Sequence, residues 1–216
     1  MKYNPDMDKR RYVQRRRAES AAQTRERILA AARASLRKGP LGAVRIDEIA
    51  REAGVARSTV YVLFGSRAGL FDALAVDLLE RAGFERIAST FRLPDARNAL
   101  LESLGAAAQV YASEPDLARS ILTLAATDPD AAAAVRRFEH GRWPGMRKLA
   151  GRLEAQGYLR PDVPRDEGAQ ILWVLTSFAT FDQLFRERGL SAAATAKRLQ
   201  AMAERALLRA PEADAR

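Results

Sequence analysis

The side chains best placed to do chemistry lie between Ile46 and Phe64. There Ile46, Ile49, Ala50 and Ala53 recur at the spacing of one helix face, Gly54 follows, and Val55, Val60 and Leu63 or Phe64 supply a facing apolar side. Ala50 is small enough for a second helix to approach, and Gly54 can take the left-handed conformation that turns the chain sharply. This is helix-turn-helix spacing, whose physical purpose is to hold the second helix proud of the surface so that it fits the DNA major groove. Other chemistries find little support. Cysteine is absent, which excludes disulfides, thiol catalysis and thiolate metal sites. A single histidine, His140, argues against a histidine-based zinc site or a serine-histidine triad and reads as a surface or helix-end residue. The 13 glycines form neither Gly-x-Gly-x-x-Gly nor a Walker loop, so no enzyme, cofactor or metal is expected.

The elements that must position this segment follow from punctuation and charge. The chain has 216 residues with 36 Lys and Arg against 27 Asp and Glu. Residues 1–64 hold 15 basic and 7 acidic side chains, the remainder 21 and 20, so a module for a polyanion precedes a near-neutral region with another task. Gly and Pro cut the sequence into helical lengths with almost no strand-type alternation, which predicts an all-α protein. Residues 1–19 carry too few apolar side chains to fold alone and read as a basic flexible arm. A capping box of Ser20 and Gln23 would start a helix that runs to Lys38 and is stopped by Gly39, Pro40 and Gly42. Two short helices, 46–53 and 56–64, precede a helix over 67–89. Longer helices are expected over 95–113, 115–126, 129–156 with a bend or break around Pro144, 165–188 and 191–208, before a frayed tail from Ala210. The longest run without a charge, Gly168 to Phe181, has 14 residues where a membrane span needs about 20. With no secretory signal, a cytoplasmic protein is expected.

The segments TRERILAAA (Thr24 to Ala32), IAREAGV (Ile49 to Val55), VYVLFGSR (Val60 to Arg67) and Leu70-Phe71 together resemble the N-terminal domain of TetR family transcriptional regulators. The resemblance covers about residues 24–80, and the rest is only loosely similar to ligand-binding domains of that family. It implies a three-helix helix-turn-helix DNA-binding domain over 20–66, a linking helix over 67–89, and a larger helical ligand-binding and dimerisation domain over 90–210. It further implies a homodimeric repressor released from a palindromic operator by a small-molecule effector. Matched onto the family pattern, Tyr61 takes the aromatic phosphate contact and Arg67 stands for the usual lysine, where it could meet a phosphate. Arg57, Ser58 and Thr59 fall on the front of the recognition helix. Arg57 is the first choice for reading a guanine and Val62 for touching a thymine methyl. Leu63 stands where the family often has His or Tyr, and Arg45 near the usual Thr as a further cation beside DNA. Asp47 is an awkward neighbour for phosphate, though it suits a helix N-terminus.

Beyond the motif, Arg10, Arg11, Arg15, Arg16 and Arg17 either track phosphates or form a solvated tail. The helix 165–188 is apolar nearly all round between Ile171 and Phe181 and must be buried on two sides. One face, with Ile171, Leu175, Phe178 and Phe185, is assigned to a dimer bundle with Leu199, Met202 and Leu207. The other is assigned to a largely apolar effector pocket drawn from Tyr111, Leu122, Phe138, Trp143, Met146, Trp173 and Thr176. The rival to a sequence-specific regulator is a non-specific basic nucleic-acid-binding protein, for which affinity follows charge and salt alone.

Overall fold

A computed structural model describes residues 5–38 and 44–210, with side chains from Glu19 onward. Among these residues the secondary structure is helical, with a lone bridge between Leu159 and Leu208. The helices are α1 (Pro5–Arg37), α2 (Ile46–Glu52), α3 (Arg57–Phe64), α4 (Arg67–Ala82), α5 (Glu85–Thr90), α6 (Ala96–Ser113), α7 (Pro115–Ala125), α8 (Pro129–Ala155), α9 (Arg165–Leu175), α10 (Phe178–Asp182) and α11 (Ala192–Leu207), with a π-helical turn Gln183–Glu187 after α10. No described helix is long and apolar enough to cross a membrane. The stop signals Gly39, Pro40 and Gly42 and the tail beyond Ala210 lie outside the described residues.

The chain divides into two compact units, the first formed by residues up to Asp77 together with Ser120–Ala134, the second by Leu78–Arg119 and Val135 onward. In the first unit, Ile28, Ala32 and Leu36 form an i, i+4, i+8 stripe on α1 that is buried with Ile49 and Ala50 of α2, Val60 of α3 and Leu70 and Leu74 of α4. Arg33 is drawn into this core because two carboxylates meet it, Asp77 at 2.5 Å and Glu26 at 2.9 Å. The start of α1 differs from the sequence expectation. The helix begins at Pro5, with proline at its first position, so Ser20 sits inside it rather than capping it and its carbonyl accepts the Thr24 hydroxyl. Arg, Gln, Glu and Ala are good helix formers, and this propensity acts without an apolar stripe.

In the second unit, α6, α8, α9 and α11 bury Leu100, Leu104, Leu149, Leu153, Leu172, Leu199 and Leu207. The helix expected over 67–89 is interrupted. Gly83 has φ +79°, its N–H donates to Glu80 O and that of Phe84 to Leu79 O, a left-handed cap that ends α4 and lets α5 begin. Around Pro144 the outcome is the reverse, since α8 runs through it. Pro144 removes one donor, and the carbonyl that loses its partner belongs to His140, which is exposed and can be hydrated. The expected helix 165–188 becomes α9, α10 and the π turn. Thr176 ends α9 with its hydroxyl on Leu172 O, and Ser177 caps α10 by accepting from Thr180 N at 3.1 Å.

Candidate nucleic-acid interface

Helices α2 and α3 form the expected turn. Gly54, at φ +65°, lets Val55 N–H donate to Ala50 O at 2.9 Å, which closes α2 and throws α3 across it. Val60 is the buried residue of α3, and α3 packs on α2 and α1. Val62 is 82% exposed, far more than a valine on a packed helix needs, and marks the outward face. Arg57 and Ser58 are exposed at the start of the same helix and Thr59 and Tyr61 are half-buried. An open cleft of about 350 Å³ runs beside this front between α1 and α3, with the hydroxyl residues Ser20, Thr24, Ser58 and Thr59 among its lining.

The cations differ in how free they are. Arg57 pairs with Asp47 at 3.1 Å, its guanidinium lies 5.7 Å from the Tyr61 ring centroid, and Nη2 donates to the Tyr61 hydroxyl at 3.3 Å. The bond to Tyr61, then the charge of Asp47, raise the Arg57 pKa further, so the group is a permanent cation. Arg45 is exposed at the start of α2 and its side chain makes no cap bond, as its exchange for a hydroxyl residue implies. It stands 3.8 Å from Glu48.

Arg67 is placed otherwise than a phosphate contact requires. Its guanidinium binds Asp128 through both Nη atoms, donates to Asp130 at 3.0 Å and, from Nε, to Val44 O at 3.2 Å, and lies 4.9 Å from the Phe71 centroid. Arg67 therefore braces the first unit, tying the turn before α8 to the residue that leads into α2. The N-terminus of α4 is capped by Ser66, whose Oγ accepts from Gly69 N at 3.0 Å. The side chains of Arg10, Arg11, Arg15, Arg16 and Arg17 lie outside the described residues, although the backbone there is helical.

The expected pocket residues of the second unit converge, on a residue the sequence reading missed. Arg142 has a side chain 7% exposed and pairs with Glu139 at 2.5 Å. Its Nη2 donates to Thr176 Oγ1 at 2.7 Å and Trp173 O at 3.1 Å, and its guanidinium lies 6.0 Å from the Phe138 centroid. Thr176 Oγ1 also contacts Met146 Sδ, and the Tyr111 hydroxyl donates to Thr176 O at 3.0 Å. Burial raises the Tyr111 pKa, so this hydroxyl stays a donor. Trp143 packs against the core of the same unit, whereas Leu122 belongs to the first unit and is exposed. A half-apolar segment with an arginine three residues after a glutamate was the available signal for the Glu139–Arg142 pair.

The face assigned to a partner subunit needs correction. Leu175, Leu199 and Leu207 are buried in their own unit's core, while Trp173 and Val174 of α9 and Met202 of α11 are exposed. Gly168 explains the phase, because a Cβ there would meet Leu159, Leu207 and Ala150 at 3.4–3.8 Å. The small pair Gly168 and Ala169 marks the close-packed side, and Leu172 and Leu175 follow it at helical spacing. Ile171 is half-buried. Phe178 and Phe185 are half-buried too, in an aromatic cluster where Tyr111 meets Phe178 edge-on at 5.4 Å and Phe181 stacks on Phe185 at 5.0 Å. His140 is exposed.

A recognition helix held outward on a buried turn, in a basic N-terminal unit followed by a helical second unit, defines a helix-turn-helix DNA-binding regulator. Residues 28–74 match the family described as bacterial regulatory proteins, tetR family. The N-terminal residues thus carry a tetR-family DNA-binding domain, and the fold of the chain is similar to that of solved TetR-family transcriptional regulators. The chain is 26% identical to NalD, the secondary repressor of the MexAB-OprM multidrug efflux pump in Pseudomonas aeruginosa, over 88% of this chain and 98% of that one, with a TM-score of 0.66. A transcriptional regulator from Saccharomonospora viridis in complex with choline is 22% identical over 88% and 100%, at a TM-score of 0.64. The ketosteroid transcriptional regulator KstR2 of Mycobacterium tuberculosis is 19% identical over 86% and 95%, at 0.60. Among curated proteins there is no significant match.

Proposed function

We propose that this protein is a homodimeric repressor that reads a palindromic operator with α3 and is released by a small, largely apolar effector bound in the second unit. The observation that carries the DNA-reading half is the outward face of α3, where Val62 is exposed beside Arg57 and Ser58. A methyl-bearing surface beside a guanidinium fork is matched to thymine C5-methyl and guanine O6 and N7. Arg57, Ser58, Thr59 and Val62 face the bases, Tyr61 and Arg45 meet phosphates, and the basic residues Arg10 to Arg17 add attraction along the backbone. Arg67 is left out of the contact set because its donors are engaged inside the unit. Two copies would place their α3 helices in successive major grooves about 34–36 Å apart.

Support for an effector comes from the second unit, where Tyr111, Phe138, Met146, Trp173 and Thr176 gather around Arg142, and from the choline complex of one structural neighbour. An effector acts by preferring a conformer whose two reading heads no longer fit successive grooves, and its differential affinity sets the extent of release. The test is selection of bound fragments from a random DNA library by the full chain at near-physiological salt. Enrichment of a palindrome, lost on Arg57→Ala or Tyr61→Phe, supports the reading. Affinity that follows salt and length alone would identify the non-specific nucleic-acid binder instead.

A further inference from the structure

Asp47 is the feature of the DNA-reading face that the proposed function does not use. It is a carboxylate in the first turn of α2, at the front of a surface meant for phosphates and bases, where its charge repels the polyanion. As a first-turn acid it suits the dipole of α2, a role that Glu48 shares, and it is largely exposed, so the core does not need it. Among the described residues its ion-pair partner is the guanidinium that faces the bases, since Oδ1 lies 3.1 Å from Arg57 Nη1 across the turn. On the other side the same guanidinium is held by the Tyr61 ring and hydroxyl. Arg57 is thus gripped from α2 and from the next turn of α3.

A free arginine on a protruding helix has many rotamers, most of which aim at phosphates, and loses that freedom on binding a guanine edge. A carboxylate that fixes the fork before binding lowers this cost for the base contact and gives nothing to non-specific binding. We propose that Asp47 is a specificity-positioning residue. It orients Arg57 for bidentate reading of a guanine, and trades affinity for DNA in general against discrimination at one base pair. The proposal rests on the reading of α3 as the recognition helix and adds the residue that sets the selectivity of that helix.

The experiment compares the full-length wild type, Asp47→Asn, Asp47→Glu, Arg57→Ala and the Asp47→Asn/Arg57→Ala double variant by fluorescence anisotropy at one salt concentration. Three duplexes of equal length are used: the palindrome selected from the random library, the same palindrome with the guanine pair that Arg57→Ala ceases to prefer changed to adenine in each half-site, and a scrambled sequence. Asn keeps the shape of the exposed Asp47, and thermal unfolding confirms that each variant is folded. Wild type is expected to prefer guanine by about ten-fold or more, the range of a good bidentate contact. Asp47→Asn is expected to lose about two- to five-fold of that preference, the scale of an exposed ion pair, while binding the scrambled duplex more tightly than wild type does. Asp47→Glu keeps the charge and displaces it, so it loses preference without the gain on scrambled DNA. In the Arg57→Ala background Asp47→Asn changes scrambled binding and leaves discrimination untouched. Full guanine preference in a folded Asp47→Asn protein overturns the proposal and leaves the recognition-helix reading standing. A wild type that enriches no sequence overturns both.

Discussion

Arg67→Ala separates two roles for one arginine that lead to different measurements. The side chain is 27% exposed and Asp128 12%, so the pair lies between a surface ion pair, worth under about 1 kcal/mol, and a fully buried one, whose disruption costs about 3–5 kcal/mol. With two bonds to Asp128, one to Asp130 and one to Val44 O, an intermediate cost of about 2 kcal/mol is expected, or roughly 4–8 °C in Tm for a chain of this size. Asp128→Asn should recover part of the loss relative to Asp128→Ala, because Asn can still accept from Asp130 N and Ala131 N at the start of α8, a cap worth about 1 kcal/mol. The sign of the pH dependence follows from the carboxyl. The Arg67 hydrogen bonds hold Asp128 below its ordinary pKa in the folded protein. The stabilisation is therefore present above the unfolded value near ~3.9 and is lost as the pH falls through the lower folded one. Circular-dichroism melts from pH 7 to pH 3 should show a constant gap between wild type and Asp128→Asn down to about pH 4, then a closing gap. An unchanged Tm for Arg67→Ala, together with a salt slope of DNA binding reduced by about one per subunit, would refute the brace and restore a phosphate contact.

Other outcomes follow from the same geometry. Arg33→Met removes the buried guanidinium's bonds to Asp77 and Glu26 and should lower stability by about 1.5–3 kcal/mol in urea unfolding, the scale of hydrogen bonds to charged groups. Val62→Ser should leave Tm unchanged and weaken operator binding several-fold in anisotropy, whereas a stability loss would mean that Val62 packs on something in the folded chain. Gly83→Ala places a side chain at φ +79° with its Cβ 3.3 Å from Arg86 Cδ, and should cost about 1 kcal/mol in a chemical melt. Arg142→Met removes donors from Thr176 and Trp173 O and strands Glu139, so a thermal melt should show destabilisation that Glu139→Gln in the same chain partly relieves.

The DNA-reading unit was legible because its determinants are local. Ile49, Ala50, Gly54 and Val60 stand within a dozen residues of one another, and each does at close range what its type permits. The features that escaped are those whose partners are distant in sequence. Arg67 reads as a cation at a helix start and only its partners 61 and 63 residues away, Asp128 and Asp130, turn it inward. Thr176 reads as a polar residue in an apolar helix, and the guanidinium that holds it is 34 residues upstream. Gly83 is a different case. Its left-handed cap uses a signal present in the sequence, a glycine after Glu80, Arg81 and Ala82, although an apolar side of Leu70, Phe71, Leu74, Leu78 and Phe84 reads as one continuous helix.

The surface expected to face a second copy shows why an apolar helix is hard to orient. When nearly every side is apolar, the hydrophobic pattern has no preferred direction, and only size distinguishes the sides. Gly168 and Ala169 let α9 approach Leu159 and Leu207, and helical spacing then carries Leu172 and Leu175 into the same core. The opposite side keeps Val174, and α11 keeps Met202, as large apolar groups that the chain itself leaves exposed. A second copy would remove these groups from water at no cost to the core, whereas the assignment to Leu175, Leu199 and Leu207 would have required the core to open. Charge placed at Val174 or Met202 should therefore shift the protein toward monomer in sedimentation while its melting temperature at low concentration stays close to wild type. The same substitution at Leu199 should unfold it.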